Sequence, residues 1–286
     1  MNSDKTLMIV IFSLTFFFAV SGCKSSPWED CPENCQSDRF SIETNLALLK
    51  EKEKSIQINE GRTDFKVALI ADSQRHPEDL DTVIELISNR REEIDFILFL
   101  GDLTDAGLEM EFDWVCKILK KTDLPFFAVI GNHDLLNYGE EIWRGVFGPL
   151  DYSLSFLGTK FILFNSNKME SSGAPNLAFI KAQAKIEPGE TRFHTIAGAH
   201  VPPSDGSIFN SAESKAIKDT FMESGIHVSI HGHLHKSSYT YDETRDLYQY
   251  IISRLENNKY GILTITRNEF SFENCSNNSC TVALPE

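Results

Sequence analysis

"FKVALIAD", residues 65–72, is a nearly continuous apolar run that stops at a carboxylate. A strand that is apolar on successive residues, not on alternate ones, is buried on both faces. Two more runs of this kind follow, "IDFILFLGD" at 94–102 and "LPFFAVIGNHD" at 124–134. Helical spacing fills the gaps between them, first with Leu80, Val83, Ile84 and Ile87, then with Phe112, Val115, Cys116 and Leu119. Strand, helix, strand, helix, strand is the signature of a parallel sheet covered by helices, so the fold class is α/β.

Towards the C-terminus the pattern turns β-rich. "YSLSFLGTKFILFNSN" (152–167) reads as two short strands about a Gly turn, and "TRFHTIAGAHVPP" (191–203) as a strand ending before Pro202. "NSAESKAIKDTFMESG" (210–225) reads as a helix, with Asn210 and Glu213 in capping-box spacing and Gly225 at its end. "IHVSIHGHLH" (226–235) follows. "SSYTYDETRDLYQYIISR" (237–254) and "KYGILTITRNEFSFEN" (259–274) are expected to complete an antiparallel edge.

Each apolar strand ends in groups that can hold a metal. The first offers Asp72 and Gln74, the second Asp102, and the third Asn132, His133 and Asp134. Later strands offer His200, and then His233 and His235 in "HGHLH". Ligands of open α/β sheets sit beyond the carboxyl ends of the strands, where these groups gather. "GD" alone would mean nothing, and a short His-rich tract by itself is often incidental. Five strand ends carrying carboxylate, amide and imidazole in this order are hard to explain as core or solvated surface.

The chain has 286 residues, 41% of them hydrophobic, which suits one large α/β domain or two small ones. Its formal net charge of −15 argues against binding to a nucleic-acid duplex, which needs Lys and Arg to replace phosphate counterions. Small anionic substrates stay open to it, because bound cations can dominate a local site.

The N-terminus carries Lys5 and an apolar stretch from Leu7 to Val20, the proportions of a secretory signal and short for a membrane span. It ends in "VSGC", similar to the lipobox of bacterial lipoproteins, in which the Cys, here Cys23, becomes the lipidated first residue. The expected plan is a signal peptide over 1–22, a lipidated Cys23 with a polar tether over 23–64 with room for one short helix, and a single domain over 65–286. An uncleaved anchor helix is the alternative. Either places the rest of the chain outside the cytoplasm, on a lipid bilayer. In that oxidising setting Cys31, Cys35, Cys275 and Cys280 are expected to form two disulfides, with three pairings open, and Cys116 to be a buried free thiol on its helix.

Taken together, "D-x-Q … GD … GNHD … H … GHLH" resembles the calcineurin-like metallophosphoesterases, from Phe65 to the C-terminal strands. The resemblance implies a four-layered α/β/β/α sandwich of two mixed sheets, and two divalent metal ions bridged by Asp102. One ion would also take Asp72, Gln74 and His235, the other Asn132, His200 and His233. It implies that His133 stabilises phosphoryl oxygens or protonates the leaving group, with Asp134 orienting it. Asp105 is expected to order the loop after Asp102; His231 matches no ligand position and is read as packing in preference to a support behind the ligands. Mixed N and O donors suit Mn, Fe, Zn or Ni, not calcium. The family commonly has His where this chain has Gln74, and an amide oxygen is a weaker donor to such metals. Arg75 and His76 follow the first motif and are candidates to hold a second phosphate. Tyr138 and Phe209 are better explained as loop and core than as pocket. The implied function is hydrolysis of a phosphoric monoester or diester. A non-catalytic metal-binding or interaction lipoprotein that keeps the same fold is the alternative.

Overall fold

A computed structural model describes residues 32–286; the signal segment, Cys23 and Cys31 lie outside them. The three apolar runs form β1 (Phe65–Ile70), β2 (Phe96–Phe99) and β3 (Phe126–Ala128), joined through α2 (Pro77–Ser88) and α3 (Glu109–Leu119). β1 pairs in parallel with β2, and β2 with β3. α4 (Gly139–Val146) leads to the second sheet, which begins with β4 (Tyr152–Phe156) and β5 (Thr159–Leu163). α5 (Leu177–Gln183), β6 (His194–Gly198), α6 (Ser211–Glu223) and β7 (Val228–His231) follow. β5, β6 and β7 are parallel neighbours, so their carboxyl ends share one edge of that sheet.

The last strands are β8 (Ser238–Asp242), β9 (Leu247–Ile251), β10 (Lys259–Ile265), β11 (Phe270–Ser276) and β12 (Ser279–Val282). They do not form one antiparallel edge. β9 lies parallel to β7 with β8 outside it, whereas β10 crosses to the first sheet and pairs antiparallel with β1. The two six-stranded mixed sheets run β12-β11-β10-β1-β2-β3 and β4-β5-β6-β7-β9-β8.

The sheets pack face to face over Phe65, Leu69, Phe96 and Phe127 from one side and Phe156, Phe161, Ile196 and Ile230 from the other. The aromatic rings meet edge-on, Phe65 on Phe156 at 5.0 Å and Phe96 on Phe161 at 5.5 Å between centroids, a favoured arrangement for aromatic pairs. Outside the first sheet, α2, α3 and α4 bury Val83, Ile84, Phe112 and Trp143; outside the second, α5 and α6 bury Ile180 and Phe221. The four-layered α/β/β/α sandwich is therefore the architecture.

Residues 32–64 depart from the tether expected over 23–64. They hold α1 (Ile42–Asn59), which buries Ile42, Asn45, Leu49 and Ile56 against the domain. These positions share one face at helical spacing, but Asn45 interrupts the apolar stripe and hides it from a hydropathy reading. Asn45 Oδ1 accepts from Phe126 N at 2.8 Å, and Tyr152 Oη bridges the N–H and C=O of Ala128, so α1 and β4 cover the open edge at β3.

The free thiol expected at Cys116 is instead a disulfide to Cys35, with Cα atoms 5.3 Å apart. A turn over Glu33–Cys35 packs on α3, which brings Cys35 over the helix face that Cys116 occupies. The bridge spans 81 residues of sequence; a loop of that order restrains the unfolded chain by about 4.5 kcal/mol in the entropy model. Cys275 and Cys280 pair directly opposite each other across β11 and β12. Among the described residues no helix is long and apolar enough to cross a membrane.

Candidate metal centre

The parallel strands of both sheets deliver their carboxyl ends to one rim of the sandwich. Asp72 N donates to Gly101 O and Ser73 N to Asp102 O, lacing the ends of β1 and β2 together. Gly232 N donates to His200 O, which does the same for β7 and β6. His200 Nδ1 donates to Leu100 O at 2.6 Å and ties one sheet to the other.

Four of the seven expected ligands, Asp72, Asp102, His233 and His235, have positive φ, between 55° and 70°. Asp and His tolerate this region better than most residues, and it turns a side chain sideways out of a strand end. The neighbouring glycines are explained by crowding. A Cβ on Gly101, itself at φ +88°, would lie 2.5 Å from the His200 ring, and one on Gly131 would lie 2.1 Å from Asp102 Oδ1.

The ligand atoms fall into two groups that share Asp102. In the first, the ligand atoms of Asp72, Asp102 and His235 all lie within 4.8 Å of one another. Gln74 joins them, its amide nitrogen 3.2 Å from Asp102 Oδ2 and 3.3 Å from His235 Nε2. In the second, His200 Nε2 is 3.2 Å from Asp102 Oδ2 and 3.2 Å from Asn132 Oδ1. His233 Nδ1 is 3.1 Å from Asn132 Oδ1 and 3.3 Å from His200 Nε2.

These residues fit a pair of divalent cations. The outer nitrogens of two imidazoles are committed, His200 Nδ1 to Leu100 O and His233 Nε2 to Asp205 Oδ2 at 3.1 Å. Their inner nitrogens therefore present lone pairs, to each other and to oxygens of Asp102 and Asn132. Such a cluster is repulsive unless a positive charge sits in it. Burial alone would lower the pKa of His200, yet Asp102 and Asp72 raise it to about 10; the field that holds a proton there holds a cation as well. His233, by contrast, is lowered by burial and by His200. Gln74 Oε1 is buried with no partner. Turning that amide over points its oxygen at Asp102 and His235, which suits a cation between them.

His133 is held differently from expectation. Its Nδ1 donates to Asp105 O at 2.6 Å and lies 3.6 Å from Asp105 Oδ1, while Arg75 Nε donates to the same carboxylate oxygen at 2.8 Å. Asp105 thus orients the imidazole. Asp134, expected in that role, is fully buried and accepts from Leu103 N, Thr104 N, Thr104 Oγ1 and Gly131 N. It fastens the loop after β2 to the loop after β3. Burial and the charge of Asp102 raise its pKa to about 6.

The remaining expectations resolve simply. Arg75 stands at the rim on Asp105, and His76 turns its Nδ1 to Asp79, 3.3 Å away at the start of α2. His231 is buried and donates from Nδ1 to Ala199 O, and Phe209 is core. Tyr138 is half exposed. Asp205 was not foreseen. It follows His200 in "HVPPSD", and a carboxylate a few residues beyond a ligand imidazole is the one signal that pointed to it.

The sequence model described as calcineurin-like phosphoesterase matches residues 65–237. A probable glycerophosphodiester phosphodiesterase of Arcobacter nitrofigilis is 38% identical over 48 residues, 17% of this chain and 18% of that protein. The chain thus matches less than a fifth of that relative's length. The purple acid phosphatase of yellow lupin (Lupinus luteus) seeds superposes with a TM-score of 0.64 at 13% identity, over 77% of this chain and about half (53%) of that one. GAP50, the anchor in the inner membrane complex of Plasmodium, superposes with a TM-score of 0.58 at 12% identity, over 78% and 89% of the two chains. At such identities the likeness shows the fold alone. A phosphatase and an anchor share it, so the side chains at the strand ends must carry any functional argument.

Proposed function

The chain belongs to the calcineurin-like phosphoesterase family, and from that premise we propose that it hydrolyses phosphoric esters with two divalent ions while anchored outside the cytoplasm through Cys23. The observation that carries the catalytic reading is the convergence of lone pairs around Asp102, built from both sheets, with His133 oriented beside it. When bound, the ions supply charge to neutralise the phosphoryl oxygens and Lewis acidity to activate water. Asp72, Gln74 and His235 would hold one with Asp102; Asn132, His200 and His233 would hold the other. Mn, Fe, Zn and Ni all suit these donors.

The chain's own groups do the rest. The His133 Nδ1–H is committed to Asp105 O, so a second ring proton sits on Nε2, where it can be donated to a phosphoryl oxygen or passed to the departing alkoxide. The His133 backbone N–H donates to Asp102 Oδ1 at 2.9 Å and keeps the ring in register with the Asp102 carboxylate. A protein that used the fold only as an anchor or metal store would have no need of an imidazole so placed. The local likeness to a glycerophosphodiester phosphodiesterase is a reason to test diesters beside monoesters.

The anchored location rests on the signal segment and on the disulfides Cys35–Cys116 and Cys275–Cys280, which persist in oxidising compartments. Release of nitrophenol from 4-nitrophenyl phosphate and from bis(4-nitrophenyl) phosphate, with Mn²⁺ and with chelator, tests the activity. Metal-dependent release from either is expected. No release from a panel of phosphoesters by protein carrying both ions would sink it. Cys23→Ser is expected to abolish labelling by a fatty-acid analogue, and persistent labelling would refute the anchor.

A further inference from the structure

Two depressions adjoin the metal centre. One, about 150 Å³, lies beside Gln74 between α2 and α3 and is walled by Leu80, Leu103, Val115 and Trp114. The other, about 350 Å³, starts at His235 and runs between the loop after β7 and the hairpin of β11 and β12. Its walls are of opposite character: Lys236 and Lys259, with the hydroxyls of Ser253, Ser276 and Thr281.

Three observations single out this second basin. Its cations are available: neither Lys236 nor Lys259 is held in an ion pair among the described residues, whereas Arg75 at the mouth of the first depression is bound to Asp105. Lys259 lies within electrostatic reach of Glu256, but that carboxylate is bound by Arg254. The floor is stiff: Lys259 faces Ser276 in the β10–β11 register, and the Cys275–Cys280 bridge clamps the adjoining hairpin. Its far wall, finally, is made of residues beyond 237, where the family match ends. The metal centre belongs to the shared part of the chain, and this wall is added to it.

We propose that the basin is the substrate's second subsite, taking the part of the ester beyond the scissile phosphorus, and that it selects a small polyhydroxylated alcohol bearing a second anionic group. Two ammonium groups in a chain of net charge −15 form a local anion site, and the hydroxyls of Ser276 and Thr281, which donate to the Asn257 and Asn274 carbonyls, keep their lone pairs to accept from a polyol. His235 is shared between the centre and the basin, so the basin opens directly off the candidate ligand group, with Lys236 on its near wall. This rests on the phosphoesterase reading only for the word substrate.

The test is calorimetric titration of the Mn²⁺-loaded full chain with a hexose bisphosphate and with the corresponding hexose monophosphate. Wild type is expected to prefer the bisphosphate. Lys236→Ala combined with Lys259→Ala should reduce that preference about tenfold, the loss of charge-assisted contacts. Lys236→Arg with Lys259→Arg should retain it, which separates charge from folding. No preference in the wild type, or one that survives the alanine pair, overturns the proposal. Turnover assays on the same samples are read separately: absence of any phosphoester hydrolysis would refute the phosphoesterase reading, while the titration still decides the basin.

Discussion

His200 and His233 enter the candidate metal centre with their outer nitrogens already engaged, on Leu100 and on Asp205. His235, across Asp102 from them, is 41% exposed and meets Asp72 and Gln74 with its inner nitrogen. One half of the centre is thus preorganised by partners behind its ligands. The other relies on a carboxylate, an amide and a ring at the surface. A ligand whose tautomer and orientation are set before the ion arrives loses less on binding it. The two halves should therefore differ in affinity, with the ion at Asn132, His200 and His233 held tightly and the ion at Asp72, Gln74 and His235 held loosely.

The largest expected effect tests whether chemistry can be separated from metal binding in either half. His133→Ala should lower turnover by about 10²–10⁴-fold, with both ions still present by elemental analysis. If metal is lost along with activity, the ring is part of the metal framework and the comparison must be redrawn. Asp205→Ala bears on the tight half directly. It should weaken that ion by about 10–100-fold in a Mn²⁺ titration and leave the loose one alone, with Asp205→Asn intermediate because an amide oxygen still accepts from Nε2. Equal weakening of both ions would show that Asp205 holds the loop and not the ligand. Gln74→His gives the smallest change. It should tighten the loose ion and blunt the rise in activity on adding Mn²⁺. Purified wild type carrying two equally tight ions, with no response to the substitution, would break the comparison and place control of occupancy with surrounding charge.

The fold and the centre were legible to different depths. Asp72, Asp102, Asn132, His200, His233 and His235 could be singled out because each is a chemically distinctive group at the end of an apolar run, and such runs are local; the structure brings them to one rim. The roles of Asp105 and Asp134 came out exchanged. Both follow a ligand closely, and nothing in the order of residues tells which carboxylate turns towards the ring and which towards the backbone. α1 was hidden because its buried face carries Asn45, a polar residue that earns its place by bonding a strand edge some eighty positions away in the chain.

What the amino-acid sequence determined by itself was the set of candidate donor groups, the alternation of strands and helices, and the architecture that resemblance attached to them, since donor chemistry and hydrophobic periodicity act within a few residues. What only the tertiary structure decided was partnership: Cys35 with Cys116, Asp205 behind His233, Asp105 behind His133, and β10 beside β1 instead of beside β9. Each joins residues well separated in the chain, and such pairs meet through the packing of two sheets and their helices, which minimises exposed apolar surface over the whole domain and leaves no mark on the local sequence.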